Sequence, residues 1–128
     1  MAKQKIKLKW HRFERFANAR KKFPKISCVY VQTDRRGIPV RVGKTIPGLS
    51  VRYRGGTGYA IDAAMHGSKN LFFVAQVPAG LCDVIERELI WQGRNVLHYN
   101  YQGKLKPPHK RVSLHHYGQV PVFDKFEI

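Results

Sequence analysis

Residues 27–45 read SCVYVQTDRRGIPVRVGKT, and this stretch decides the fold. Its two arms, 27–33 and 39–45, are rich in the β-branched and aromatic residues that favour strands. The segment between them, 34–37, contains turn-forming residues and ends in a glycine, which tolerates the positive φ that tight turns often need. The sequence therefore predicts a β-hairpin.

The segments that follow the hairpin complete a small α/β domain. Residues 49–54 and 59–66 favour short helices, and residues 70–77 form an almost continuous apolar run, which is typical of a strand buried on both faces. Pro78 can start a helix, and the helical pattern after it ends at Gly93. This order predicts an α+β fold with a small mixed, largely antiparallel three-stranded sheet flanked by helices.

Basic segments flank this core at both ends. Residues 5–10 alternate between lysine and apolar residues, which suits a short strand or an extended arm. The spacing of Trp10 and Phe13 then favours an amphipathic helix that ends before Pro24, and residues 120–126 favour an edge strand. We therefore divide the chain into a basic N-terminal arm and helix (1–25), a core (26–100) and a basic C-terminal extension packed on the same domain (101–128).

The charge of the chain points to an anionic partner. The 128 residues are 43% hydrophobic and include 24 Lys plus Arg against 8 Asp plus Glu, a formal charge of +16. The length and composition predict one globular domain. Nucleic acid is the leading partner, because each phosphate that a protein neutralises releases counterions. An anionic membrane surface is the rival, but it is usually bound by one basic amphipathic helix, whereas these charges run through the whole chain.

Two other features of the sequence restrict the class of protein. It has neither the run of about 20 apolar residues that a membrane helix needs nor an apolar segment typical of a secretory signal, so we expect a soluble, cytoplasmic protein that does not bind membranes. Cys28 and Cys82 both lie in apolar surroundings. They are predicted to be buried free thiols, since neither a disulfide framework nor a zinc site matches two isolated cysteines.

Three short patterns occur in order along the chain. They are CVY at 28–30 on the first hairpin strand, RVGKT at 41–45 on the second, and IERELI at 85–90 on the late helix. An arginine, Arg52, lies between the second and third patterns, and Asn100 follows the third. The ordered set resembles the GIY-YIG nuclease family, whose pattern is Gly-Ile-Tyr, a turn, Tyr-Ile-Gly, an arginine on the next helix, a helical glutamate and an asparagine.

The resemblance implies a metal-dependent endonuclease and gives a role to each matching residue. Tyr30 would be the general base that activates water, and Arg52 would hold the scissile phosphate. Glu86 would be the sole carboxylate ligand of a single Mg²⁺ or Mn²⁺ ion, and Asn100 would organise the hydrogen bonds of the site. The implied reaction is hydrolysis of a phosphodiester that leaves a 5′-phosphate and a 3′-hydroxyl.

The chemistry of phosphoryl transfer agrees with these roles. A metal ion stabilises the charge that develops on the leaving oxygen, and a guanidinium matches the geometry of a phosphate. One carboxylate with several waters suits Mg²⁺ or Mn²⁺. A tyrosine has an ordinary pKa of about 10 and needs nearby cations to act as a base at neutral pH.

The chain departs from the family pattern at Arg41, where the family usually has a tyrosine. Two interpretations are open: Arg41 joins the catalytic set by assisting Tyr30, or the site is degenerate and the protein only binds nucleic acid or the ribosome. We expect retained activity, because the other polar positions occur together. The loop from Gly43 to Arg52 is slightly long, which makes Arg54 a second candidate for the phosphate contact.

Each of these residues also has an ordinary structural alternative. Tyr30 could be a half-buried strand tyrosine, and Arg52 and Arg54 could be solvated surface charges. Glu86 could pair with an arginine on its own helix, and the neighbouring carboxylate of Glu88 has to be tested beside it.

Other basic residues are predicted to contact the nucleic acid. DNA is favoured over RNA, and the sequence leaves open whether a homodimer forms. The predicted contacts are Lys9, Arg12, Lys44, Arg54, Lys110 and Arg111.

Overall fold

The computed structural model describes residues 3–14, 16–49, 71–97, 100, 104 and 106–127. Within these residues the protein is a small mixed α+β fold with one five-stranded sheet and two helices. The helices predicted at 49–54 and 59–66 lie outside the described residues, except for Leu49. The elements are β1 (Gln4–Phe13), α1 (Phe16–Lys22), β2 (Cys28–Thr33), β3 (Pro39–Thr45), β4 (Phe72–Gln76), a 3₁₀ turn (Ala79–Leu81), α2 (Cys82–Gln92) and β5 (Val112–Gly118).

The sheet has the strand order β3-β2-β4-β1-β5. The pair β1–β5 is parallel and the other neighbouring pairs are antiparallel. The predicted number of three strands was therefore wrong, because each flanking segment adds one strand. β1 joins the sheet because its alternate residues Ile6, Leu8 and Trp10 are buried in the core.

The predicted hairpin is confirmed. β2 pairs with β3 so that Tyr30 lies opposite Gly43 and Gln32 lies opposite Arg41. The turn is closed by Asp34, whose carboxylate accepts hydrogen bonds from the backbone N–H groups two and four residues later. Gly37 has a φ of 85°, the positive value expected for a glycine in this turn.

Both faces of the central strands are covered. Residues 29 and 31 of β2 and residues 73 and 75 of β4 pack with α2, whereas residues 28, 30, 72 and 74 form a second core with residues of α1. The prediction that the strand at 70–77 is buried on both faces is confirmed for Phe72 to Ala75. The two cores hold the hairpin between the helices and leave β3 at one edge of the sheet.

The first helix begins at residue 16, and not at Trp10 as the spacing predicted. Trp10 and Phe13 both belong to β1, where they contribute to the cores on opposite faces. A three-residue spacing of aromatic residues suits one face of a helix, but it also suits a strand that is covered on both sides. The second condition holds here.

The C-terminal strand lies at Val112–Gly118, and the edge strand predicted at 120–126 is absent. Pro121 has no N–H to donate to a strand ladder. The segment after β5 instead runs back over the fold, with the Val122 N–H donating to the carbonyl of Gly37 and Phe126 buried in the core.

Two further predictions concern the cysteines and the membrane. Cys28 and Cys82 are buried free thiols, as predicted, and burial raises the pKa of Cys28 to about 12. Neither helix in the described part of the chain has the length and apolarity that crossing a membrane would require.

Candidate functional site

The residues predicted on the hairpin and on the late helix converge at the β3 edge of the sheet. Tyr30 of β2, Arg41 and Lys44 of β3, and Glu86 of α2 line one open concavity of about 370 Å³. Gly43 and Thr45 of β3, together with residues 46–47 that follow this strand, complete its lining. Four of the sequence-predicted site residues therefore meet at the same place, and the Tyr30 side chain among them is fully buried.

Tyr30 reaches this concavity by passing over β3 at Gly43. A Cβ atom on Gly43 would overlap the Cζ and Oη atoms of Tyr30, so only glycine leaves room for the ring. The opposite side of the phenol ring stacks on Phe72, with ring centroids 5.2 Å apart. The Tyr–Gly pair therefore fixes where the hydroxyl lies.

Arg41 contacts the hydroxyl directly. Its Nη1 donates a hydrogen bond to Tyr30 Oη at 3.1 Å, and its guanidinium carbon lies 5.9 Å from the centre of the ring. A guanidinium in this position stabilises negative charge that develops on the phenol oxygen. Arg41 thus brings a cation to the hydroxyl of Tyr30.

Two carboxylates of α2 surround the ammonium group of Lys44. Its Nζ lies 2.5 Å from Asp83 Oδ1 and 3.6 Å from Glu86 Oε1. The hydrogen bond with Asp83 raises the pKa of Lys44 and lowers that of Asp83. Sequence reasoning did not assign Asp83 to the site; the available signal was its position one helical turn before Glu86.

Glu86 is a carboxylate whose charge is incompletely compensated. Burial raises its pKa, and the nearby charges of Lys44 and Arg41 offset that effect only in part. Its side chain still keeps 20% of its surface exposed at the concavity. Burial therefore favours the protonated form of this carboxyl more than solvent would.

Glu86 is the one carboxylate among the described residues that line the concavity. Among the described residues no group of three or more His, Cys, Asp or Glu side chains is arranged to hold a metal ion. Mg²⁺ does not require such a group, since it often binds through one or two carboxylates and keeps several waters. An ion at Glu86 would share this carboxylate with Lys44.

Asn100 acts on the backbone of β3. Its Oδ1 accepts a hydrogen bond from Val42 N at 2.8 Å, and its Nδ2 donates to Val42 O at 3.0 Å. The amide therefore pairs with the outer edge of β3 as a neighbouring strand would. This contact holds the strand that carries Arg41 and Lys44.

Glu88 and Arg111 form a separate, structural pair. Glu88 is fully buried, and the Nε and Nη2 atoms of Arg111 donate to its two oxygens at 2.8 and 2.9 Å. The alternative carboxylate therefore does not face the concavity, and the guanidinium predicted to contact nucleic acid is already engaged.

The remaining predicted residues lie elsewhere. Lys9 and Arg12 are exposed on β1, three strands away from β3 in the sheet order, and Lys110 is exposed just before β5. Arg52 and Arg54 lie outside the described residues. The structure thus brings together Tyr30, Arg41, Lys44 and Glu86 but not the other basic residues that it describes.

Comparison with known proteins identified no relative of this chain. No family model, no curated protein and no solved structure matches the chain.

Proposed function

We propose that this protein is a divalent-metal-dependent endonuclease of the GIY-YIG type that hydrolyses nucleic acid phosphodiesters, with DNA favoured over RNA. The observation that carries the proposal is the convergence of Tyr30, Arg41, Lys44 and Glu86 on one concavity. The antiparallel order β3-β2-β4 with α2 packed against it supports the same proposal, because these are the elements on which the resemblance rests.

In the proposed mechanism each residue has one task. Tyr30 acts as the phenolate, whose negative charge Arg41 stabilises, and becomes the neutral phenol when it accepts the proton of the attacking water. Glu86 would hold the ion, and Mg²⁺ or Mn²⁺ bound there would neutralise charge on the leaving oxygen. Lys44 offers a second cation to the phosphate, and Arg52 or Arg54 is proposed to clamp it.

Cleavage of a supercoiled plasmid tests the proposal. The purified protein is incubated with plasmid and Mg²⁺, Mn²⁺ or no metal, and nicked and linear products are separated on a gel. We expect metal-dependent nicks that DNA ligase can seal, because hydrolysis would leave 5′-phosphate and 3′-hydroxyl ends.

Glu86→Gln and Tyr30→Phe should each slow cleavage by about 10²-fold or more, whereas the exposed control Asp124→Asn should cut normally. Binding without cleavage under every metal would refute the proposal.

A second candidate is a nucleic-acid- or ribosome-binding protein that uses this scaffold without catalysis. The observation that favours it is Lys44, whose ammonium contacts both acidic side chains of the site in the place where a metal ion would compete. Both candidates predict affinity that falls with salt, so salt dependence does not separate them. Metal-dependent turnover does.

A further inference from the structure

A second basic surface lies on the β1–β5 half of the sheet. Alternate residues of β1, namely Lys5, Lys7 and Lys9, are exposed, whereas the residues between them are buried. The parallel register places Ser113, His115 and Tyr117 of β5 beside them, and these three are exposed too. We call this surface, made of Lys5, Lys7, Lys9, Ser113, His115 and Tyr117, the lysine–tyrosine face.

The lysines of this face are free to bind an anion. None of the ion pairs between described residues includes Lys5, Lys7 or Lys9. Successive lysines are two residues apart on a strand, so their Cα atoms repeat on the order of every 6–7 Å. Such a row of cations follows an extended polyanion and does not converge on one small ion.

The neighbouring strand adds an aromatic surface beside the cations. Tyr117 is 44% exposed and lies in register with Lys9, and His115 lies in register with Lys7. Adjacent strands are about 4.8 Å apart, so a nucleic acid whose phosphates follow β1 would have its bases over β5. An exposed ring offers a stacking partner to an unpaired base, whereas the bases of a duplex are already stacked on each other.

The face lies on the same side of the sheet as Tyr30. His11 of β1 and Tyr30 of β2 both register with Val74 of β4, and paired residues of neighbouring strands point to one side. Lys9 is two residues before His11 and therefore shares that side. A polynucleotide bound along β1 would lie on the Tyr30 side of the sheet.

We propose that the lysine–tyrosine face binds a single strand of nucleic acid, with phosphates along the three lysines and a base stacked on Tyr117. Charge complementarity, the strand repeat and the exposed ring together favour this occupant over a duplex. The proposal is independent of cleavage, because it concerns binding at a surface that shares no residue with the catalytic concavity.

Fluorescence anisotropy with a labelled 12-nucleotide oligothymidylate tests it, with EDTA present so that nothing is cut. The variant Lys5→Gln/Lys7→Gln/Lys9→Gln should bind more weakly and reduce the slope of log affinity against log salt by about 2, which is the expected loss for three phosphate contacts. The matched control Arg35→Gln/Lys106→Gln/Lys125→Gln removes the same charge from exposed positions outside β1 and β5. It should retain most of the wild-type affinity and slope.

Tyr117→Ser separates stacking from charge. It should weaken binding of the single strand about tenfold while leaving the salt slope unchanged. Equal losses in the two triple variants would overturn the proposal, since binding would then follow net charge alone. Tighter binding of a 12-base-pair duplex that is unaffected by Tyr117→Ser would also overturn it. Circular dichroism of each variant verifies that the fold is intact, and none of these outcomes depends on whether the protein cuts DNA.

Discussion

At the residue scale, the position of the Tyr30 hydroxyl depends on the absence of a side chain at Gly43. The ring occupies the space that a Cβ atom would take, so Gly43→Ala has to displace either the ring or β3. We expect Gly43→Ala to lower the free energy of unfolding by about 1–3 kcal/mol, the usual cost of overpacking. Urea denaturation measures this change, and plasmid cleavage should fall with it.

Gly80→Ala is the matched control for this substitution. A Cβ atom on Gly80 meets no heavy atom within 4 Å, so its stability should change by no more than about 1 kcal/mol. If Gly43→Ala were as stable as the wild type, the ring would not lie over β3 as described.

The charged form of Glu86 is expected to lower the free energy of unfolding at neutral pH. Because burial raises its pKa, the folded protein binds this proton more tightly than the unfolded chain does. Stability is therefore lost as the pH rises from the unfolded pKa through the raised folded pKa. We expect Glu86→Gln to unfold at a higher urea concentration than the wild type at pH 7, and this advantage to disappear at pH 3. A less stable variant at pH 7 would show that Lys44 fully compensates the carboxylate.

The sequence indicated four of the residues that line the concavity, but it did not indicate their contacts. Tyr30 and Glu86 could be selected from the order of short patterns along the chain. The hydrogen bond from Arg41 to Tyr30 depends on the exact hairpin register, and the approach of Lys44 to Glu86 depends on how α2 packs against β3. Neither follows from spacing within one element.

At the element scale, the two strands at the ends of the chain were the hardest to predict. β1 was predicted in part, because lysines alternate with apolar residues, but its last residues face two different cores. β5 was missed because a histidine takes one of its inward positions. Trp10 Nε1 donates a hydrogen bond to His116 Nδ1 at 2.9 Å, and burial lowers the pKa of His116 to about 4. A neutral histidine there replaces the apolar residue that the strand pattern needs.

The attachment of β5 to α2 depends on the Glu88–Arg111 pair. Burial alone would raise the pKa of Glu88, but hydrogen bonds from Arg111, Gln92 and the Val112 N–H together lower it. The contribution of the Glu88 carboxylate to stability is therefore present above the pKa that Glu88 has in the unfolded chain. This contribution is lost as the pH falls through its lowered pKa in the folded protein. The pair thus stabilises the fold at neutral pH.

Arg111→Met should leave the Glu88 charge buried and unpaired. We expect a loss of about 3–5 kcal/mol in the free energy of unfolding at pH 7, measured by urea denaturation. The double variant Glu88→Met/Arg111→Met should recover most of that loss, because no buried charge remains. The exposed substitution Glu14→Gln serves as the control and should have little effect. A single variant as stable as the double would mean that water already screens Glu88.

At the scale of the whole molecule, both ends of the chain belong to the same sheet as the hairpin. β1 lies between β4 and β5, so the N-terminal segment links the hairpin side of the sheet to the C-terminal strand. The division into arm, core and extension rests on composition, and it gives no measure of how strongly the three segments depend on each other. That dependence follows from which side chains each segment buries.

The fragment 26–100, although it contains every residue of the proposed catalytic set, should not fold by itself. It lacks Ile6, Leu8 and Trp10, which are all buried in the core beside α2. Burial of a large apolar side chain contributes about 1.5–3 kcal/mol, so these three account for about 5–9 kcal/mol. Whole domains are stable by only about 5–15 kcal/mol. The fragment would also expose the β4 edge that β1 covers, which favours aggregation.

Urea denaturation followed by circular dichroism, together with amide dispersion in a ¹⁵N-correlated NMR spectrum, tests this expectation. The full chain should unfold in one cooperative transition, and the fragment should show neither a transition nor dispersed amide signals. A chain that lacks only residues 1–3, which precede β1, is the control and should unfold as the full chain does. If the fragment unfolded cooperatively, the hairpin, β4 and α2 would suffice as a folding unit. β1 and β5 would then be additions to a three-stranded core, as the family resemblance implies.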